Sequence, residues 1–310
     1  MATFFEAARG IFVILILLGL GYALARGKWI KKEESEFLAR LVVYVALPPY
    51  MVVNITANFT RESLLRLGRG LPVPLLSMLF SYALGLFLGN ALRIPRHRRG
   101  VFVVAFSLSN TIFVGLPVCQ ALFGEKAVPY VLLYYMVNTT LFWTLGAFGI
   151  ASSGNEGRMS PVEITKRIFN PPFVAFFVGV LLVLWGISLP PVVLESSRLI
   201  GGLTTPLSLL CVGTTMDVRS LHLGRDLFLV LLGRFFFSPL FVLLVVQIFP
   251  LPELMREVFV VMSAMPVMMQ SSILARLYHA DYEYATGMIA ATTALSALLI
   301  PLLKVGITYL

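Results

Sequence analysis

Ser107-Leu108-Ser109-Asn110-Thr111-Ile112-Phe113-Val114-Gly115-Leu116-Pro117 is the stretch on which the reading of this chain turns. It lies inside an apolar run, residues 100–122, that is long enough to cross a bilayer as a helix. A helix facing lipid has no use for clustered hydroxyl and amide groups, because each costs free energy unless paired. Pro117 cannot donate a backbone hydrogen bond, so the carbonyl four residues earlier loses its partner. Gly115 stands two residues before it. The pattern predicts a helix broken inside the membrane. A second stretch has the same character: Ser263-Ala264-Met265-Pro266-Val267-Met268-Met269-Gln270-Ser271-Ser272. Two broken helices in corresponding places point to a midplane site in a membrane carrier.

Composition supports a membrane setting. Of the 310 residues, 58% are hydrophobic and 13% charged, against roughly 45–50% and 25% in soluble chains. The mean hydropathy is +0.90. A soluble globule cannot hide that much apolar surface. Ten apolar spans are expected, near 10–26, 37–54, 71–92, 100–122, 127–150, 172–189, 197–216, 227–249, 256–276 and 283–308. Helices are expected throughout, since open sheet edges cannot face lipid, and runs such as Ile11–Leu18 do not alternate as barrel strands do. Ala23-Leu24-Ala25 resembles an export-signal cleavage site, but Arg26, Lys28, Lys31 and Lys32 follow it, against that reading.

The +9 formal charge is read as cytoplasmic Lys and Arg rather than as a nucleic-acid surface. With the N-terminus outside, the inner loops hold 15 basic residues and the outer side 8. Both termini are therefore expected outside an inner, cell membrane. The odd cation is Arg234, inside the eighth span; it is read as snorkelling toward the inner surface, with pairing to an anionic substrate as the lesser reading.

The chain also repeats. Arg40-Leu41 before Pro48 matches Arg198-Leu199 before Pro206 at an offset of 158, and Val101–Val104 matches Val258–Val261 at 157. A unit of five spans is odd, so its copy enters from the opposite side. The expectation is an all-α membrane protein with two inverted five-helix repeats, residues 1–150 and 172–310, joined by a cytoplasmic linker, 151–171. Pro48 and Pro206 are read as kinks in a cavity wall.

Asn138, beside Thr139 and Thr140 in the fifth span, is a third polar cluster; its carboxamide offers two donors and an acceptor, for a substrate or for a neighbouring helix. Thr286, Thr292, Thr293 and Ser296 are read as serving close packing, and Asn54 as a cavity residue or a span end. The polar clusters of spans 4, 5 and 9 hold no Asp or Glu, which a carboxylate-based proton or sodium exchanger would need. Cys119 and Cys211 have no CxxC spacing and are read as packing residues. His97, His222 and His279 fall in loops, and no HExxH or P-loop occurs. No metal, cofactor or enzyme chemistry is expected.

Ser109-Asn110-Thr111 followed by Gly115-Leu116-Pro117, with Ala264-Met265-Pro266, Ala275-Arg276-Leu277-Tyr278 and the last span ending Ile300-Pro301-Leu302, resembles the signatures of the auxin efflux carrier family. Pro206-Leu207 through Gly213 resembles the family too. The short linker resembles its prokaryotic permeases. The resemblance implies a fold like the bile acid/sodium symporters, with spans 1, 2, 6 and 7 as scaffold, spans 3–5 and 8–10 as a moving transport domain, and spans 4 and 9 crossing. It implies Asn110 as a substrate contact, Pro117 and Pro266 as crossover prolines with Gly115 beside them, and Asn138 as an amide near a substrate carboxylate. Ser109, Thr111, Gln270 and Ser271 complete the expected site. The function implied is secondary transport of small organic anions such as auxin-like acids, malonate or malate, in the direction of efflux. A sodium-coupled symporter, with the same neutral groups as sodium ligands, and a receptor that binds without moving its ligand are the rival readings. The partners expected are the substrate, the lipid bilayer and, in one arrangement, a second copy of the chain.

Overall fold

The computed structural model describes residues 2–154, 162, 165, 169–215 and 224–307. Most of the expected linker, with Asp217 and His222, lies outside the described residues. Among the described residues every regular element is helical, apart from one isolated β-bridge. The helices used below are α1 (Ala2–Arg26), α2 (Lys32–Leu41), α3 (Leu47–Asn58), α4 (Arg61–Gly68), α5 (Pro72–Ala91), α6 (Arg96–Ser107), α7 (Leu116–Phe123), α8 (Val128–Leu141), α9 (Ala147–Ser153), α10 (Pro171–Trp185), α11 (Pro191–Gly202), α12 (Thr204–Thr215), α13 (Arg225–Leu232), α14 (Ser238–Ile248), α15 (Glu253–Ser263), α16 (Gln270–Leu277) and α17 (Tyr282–Ile307).

Among the described residues, four continuous helical stretches are long and apolar enough to cross a membrane: Glu33–Asn58, Pro72–Ala91, Glu125–Ser153 and Arg225–Ile248. A fifth counts if Tyr282–Ser296 and Leu298–Lys304, bent by 46°, form one span. The fourth and ninth expected spans do not appear as long helices because each is cut. Their pieces run 12 and 8 residues, and 11 and 8 residues, each short of the roughly 20 needed to cross alone. Bulky apolar side chains such as Ile16, Phe87, Trp185 and Phe228 are exposed, while Ser77, Ser81, Ser107 and Asn138 are buried. That inversion suits a lipid surround.

Wide π turns interrupt the helices at Val42–Ala46, Thr111–Gly115, Phe142–Gly146 and Gly233–Phe237. Three of them run directly into a helix that carries proline in its first turn, at Pro48, Pro117 and Pro239. The carbonyl each proline leaves without an i→i−4 donor belongs to Tyr44, Phe113 or Phe235, inside the turn. A π turn takes its bonds from five residues back and so absorbs the missing donor. Pro206, expected as a kink, instead lies in the first turn of α12, where a missing N–H costs little.

The chain divides into two compact units. The first comprises Met1–Leu71, Ile112–Leu133 and Phe169–Met216. Here α1 packs on α12 through glycines set back to back: a Cβ on Gly21 would strike the Leu210 carbonyl, and one on Gly213 the Leu18 carbonyl. Small residues let backbones approach where lipid supplies no hydrophobic drive between helices. Helices α10 and α11 pack on α3.

The second unit comprises Pro72–Thr111, Tyr134–Ile168 and Asp217–Leu310. Helix α6 is its buried axis; every residue from Gly100 to Asn110 is buried. It contacts α5, α9, α13, α16 and α17. Gly100 of α6 lies against the Gly149 carbonyl of α9, and its amide donates to the Ser153 hydroxyl at 2.7 Å. At the start of α6, Arg98 donates to Asp281 at 2.7 Å, and the Asp281 amide bonds the His97 carbonyl at 3.1 Å. Glu257, an acidic residue inside the ninth expected span, pairs with Lys304 at 2.8 Å.

Candidate functional site

The site lies in the second unit, where two helices stop short of each other. Helix α6 ends at Ser107, and Leu108 turns extended, with φ −111° and ψ 142°. Helix α15 ends at Ser263, and the chain is not helical again until Gln270. Between these ends the two segments cross as a minimal antiparallel pair. Ser109 and Val267 form a β-bridge, and the Asn110 amide donates to the Pro266 carbonyl at 2.8 Å. Backbone in this state must find partners, since neither helix nor water supplies them.

Three side chains from other helices provide those partners. Asn138 of α8 presents its carboxamide to the Ser109 peptide: its Oδ1 accepts from the Ser109 amide at 3.0 Å, and its Nδ2 donates to the Ser109 carbonyl at 2.9 Å. The amide thus behaves as a short third strand, with the Met268 sulfur 3.8 Å away. Thr292 of α17 accepts from the Val267 amide at 3.1 Å, while its own hydroxyl donates to the Met288 carbonyl at 2.7 Å.

The third is Arg234, in the π turn between α13 and α14. Its Nε donates to the Met265 carbonyl at 3.0 Å, and its Nη2 donates to the Ser263 carbonyl and the Ser109 hydroxyl. The side chain is fully buried. Snorkelling to a membrane surface, as the sequence suggested, is therefore not what it does. The break in the ninth expected span frees carbonyls at this depth, and a guanidinium with five N–H donors finds better acceptors there than the long reach to water offers. Among the described residues no carboxylate pairs with it, and its buried Nη1 has no hydrogen-bond partner.

Ser109, Asn110, Thr111, Asn138 and Pro266 are thus gathered at or beside the crossing, all in the second unit. Ser271, in the first turn of α16, is buried and donates to the Met268 carbonyl at 2.7 Å. Gln270 opens the same helix; its buried Oε1 has no partner among the described residues. Gly115 and Pro117 fall in the first unit. The interruption comes at Leu108–Asn110, ahead of both, and Pro117 sits in the first turn of α7. Arg234 and Thr292 belong to the crossing although sequence reasoning gave them other roles. The signal available for Arg234 was its lone charge in an apolar span.

The first unit holds a separate polar network that the sequence reading missed. The Gln120 side-chain amide donates to the Tyr50 hydroxyl and to Glu125, each at 2.7 Å, and Thr205 donates to its Oε1 at 2.6 Å. Asn54, read as a cavity or span-end residue, bonds the Tyr50 carbonyl at 3.0 Å. Gln120 in an apolar run was the available clue. Cys119 and Cys211 are buried and free.

A family model described as membrane transport protein matches residues 7–304. An uncharacterized transporter of Methanocaldococcus jannaschii is 25% identical over 297 residues, covering 94% of this chain and 96% of the relative. An uncharacterized transporter of Methanothermobacter thermautotrophicus is 28% identical over 313 residues, covering 97% and 99%.

Proposed function

Because the chain belongs to the membrane transport protein family, that of the auxin efflux carriers, we propose that it is a secondary transporter of small organic anions. Carboxylates such as auxin-like acids, malonate or malate are the substrate class, and alternating access with net efflux is the mode. The observation that carries the substrate class is the sign of the buried charge. The crossing contains a fully buried guanidinium and, among the described residues, no acid to neutralise it. In a low-dielectric interior an uncompensated cation favours an anion nearby. The neutral groups of Ser109, Asn110, Thr111, Gln270 and Ser271 then orient it. Asn138 contributes by fixing the Ser109 peptide to which it is bonded on both sides.

The inverted five-span repeat, and with it ten spans, is part of the same reading, and two contacts support it. The Ser109–Val267 bridge joins residues 158 apart, and the Ser81 and Ser238 hydroxyls, 157 apart, lie within 3.2 Å. These are the offsets at which the sequence repeats. Residues related by a two-fold axis touch only where the axis passes, so self-offset contacts are expected there and rare elsewhere. We assign the second unit to the moving domain and the first to the scaffold, supported by each unit drawing on both halves of the chain. Both termini face outside the cell membrane in this reading, from the asymmetry of Lys and Arg. A cysteine at the exposed Arg96 then stays unlabelled by an impermeant reagent added to intact cells, with both native cysteines buried.

Purified protein in liposomes, assayed with a panel of radiolabelled mono- and dicarboxylates, tests the function. Accumulation of at least one acid above empty liposomes is expected. Binding without accumulation would make the protein a receptor, and uptake of cations or neutral solutes alone would overturn the substrate class.

A further inference from the structure

Carbonyls released by a broken membrane helix are the usual ligands of a coupling cation. In this protein two of them are already taken. The Ser263 and Met265 carbonyls, at the end of α15 and inside the break, both accept from Arg234, and Ser109 on the crossing segment accepts from the same guanidinium. Arg234 reaches them from the π turn Gly233–Phe237, which runs into a helix bearing Pro239 in its first turn. The tether is therefore a built feature of the eighth span and not a loop that wanders in. The cradle has the oxygen ligands of a small-cation site, two carbonyls and a hydroxyl, with no carboxylate. An ion leaving it would expose unpaired carbonyls in a buried setting.

We propose that Arg234 is a resident cation: its guanidinium occupies, permanently and covalently, the position at the crossing that a bound sodium ion would otherwise fill. The crossing is then assembled without an ion from solution. Conformational change need not wait for sodium to bind or leave, so any coupling of transport to sodium would have to use other ligands. The site itself rests on geometry; only its consequence for coupling rests on the transporter reading.

Melting of the purified full-length protein in detergent tests this without a substrate. The parent should melt at the same temperature in sodium chloride and in choline chloride of equal ionic strength, and millimolar guanidinium chloride should not raise it. Arg234→Ala should melt about 5–10 °C lower, since several charge-assisted hydrogen bonds are lost together. Guanidinium or sodium should restore a few degrees to that variant, whereas choline, too large for the vacated cradle, should not. Arg234→Lys, which keeps a cation, should lose less than Arg234→Gln, which does not. Failure of Arg234→Ala and Arg234→Gln to fold, with Arg234→Lys folded, would agree with the proposal. A sodium-dependent rise of several degrees in the parent would overturn it, whether or not any variant folds. So would an Arg234→Gln protein as stable as Arg234→Lys. Neither result would touch the assignment of anion transport, which liposome uptake decides separately.

Discussion

At the first break, Leu108–Asn110, the backbone is closed by a neutral amide; at the second, 264–269, it is closed by a guanidinium and a hydroxyl. The first interruption is short. A carboxamide has the shape and polarity of a peptide group, so Asn138 can pair both sides of Ser109 as a neighbouring strand would. The second is longer and includes Pro266, which has no N–H to give. It leaves an excess of carbonyls, and donors must come from outside. Arg234 supplies them for Ser263 and Met265, and Thr292 takes the one amide, Val267. At the repeat offsets of 157 and 158, Arg234 corresponds to Ser77 and Asn138 to Ser296. The two breaks differ in charge: among the described residues the guanidinium of Arg234 bonds the carbonyls of the second break, and the peptide of the first is held by a neutral amide. A second cation at the same crossing would repel the first across a few ångströms of low dielectric.

The comparison breaks most easily at Asn138. Asn138→Leu keeps the branching of the side chain and strips two partners from a buried peptide, at a cost of about 2–5 kcal/mol. The melting temperature in detergent should fall by roughly 5–15 °C. Asn138→Asp should not rescue it, because the Ser109 carbonyl would then face a carboxylate oxygen. A leucine variant as stable as the parent would mean that the first break is held by packing and not by its amide.

Asn110 tests the mouth of the same break. Its backbone is fixed to Pro266 at 2.8 Å, so Asn110→Ala should leave the crossing intact and act on ligand binding. Loss of one hydrogen bond to a charged ligand costs roughly 1.5–3 kcal/mol, or about 10- to 150-fold in affinity. Titration of whichever acid proves to be transported would measure it. Asn110→Asp should bind that acid still more weakly, and an aspartate variant that binds it better would assign the charge asymmetry to cation recognition instead.

At the second break Thr292→Val should cost less than the change at Asn138. It removes one acceptor from one amide, about 1–2 kcal/mol, and Thr292→Ser should recover most of it. Equal losses at Thr292 and Asn138 would mean that the two breaks are closed with similar strength, and the contrast between them would reduce to Arg234 alone.

The sequence made some of this legible. Polar residues before Gly115 and around Pro266 marked two interrupted spans, and Pro266 does lie within its interruption. The position of the first break was not legible. Pro117 is a local signal, but Leu108–Asn110 is opened by pairing with Val267 and by Asn138, partners 158 and 29 residues from Ser109. Proline then falls harmlessly into the turn that restarts the helix. Thr292 could not be distinguished from Thr286, because both return a hydroxyl bond to their own helix and only one also meets a free amide. Arg234 posed the same difficulty in a charged form. Whether a lone arginine snorkels or is buried depends on carbonyls some 30 residues away that a broken helix has released. The Tyr50–Gln120–Glu125–Thr205 network draws on separate segments and leaves no motif.

The smallest expected effect concerns whether the first half-helix is held from its middle or from its start. The chain is bonded to its second half just past the end of α6, at Ser109, and at the start of α6 through Arg98, which pairs with Asp281 in the loop between α16 and α17. Burial pushes the Asp281 carboxyl up, but the Tyr284 amide, Arg98 and His97 outweigh it and hold it below its ordinary 3.8. A carboxylate lowered in the folded state contributes stability that is present above its unfolded value and is lost as pH falls through the folded one. Arg98 is 38% exposed, so solvent screens the pair and its contribution is about 0.5–1 kcal/mol at most. Asp281→Asn removes the charge and retains an oxygen for the Tyr284 amide. The parent should therefore melt one to a few degrees above the variant near neutral pH, with the gap unchanged down to about pH 5 and closing below about pH 4. High salt should narrow it as well. A gap that survives intact at acid pH would place the contribution of Asp281 in its capping bond, leaving the crossing at Ser109 as the contact that fixes α6.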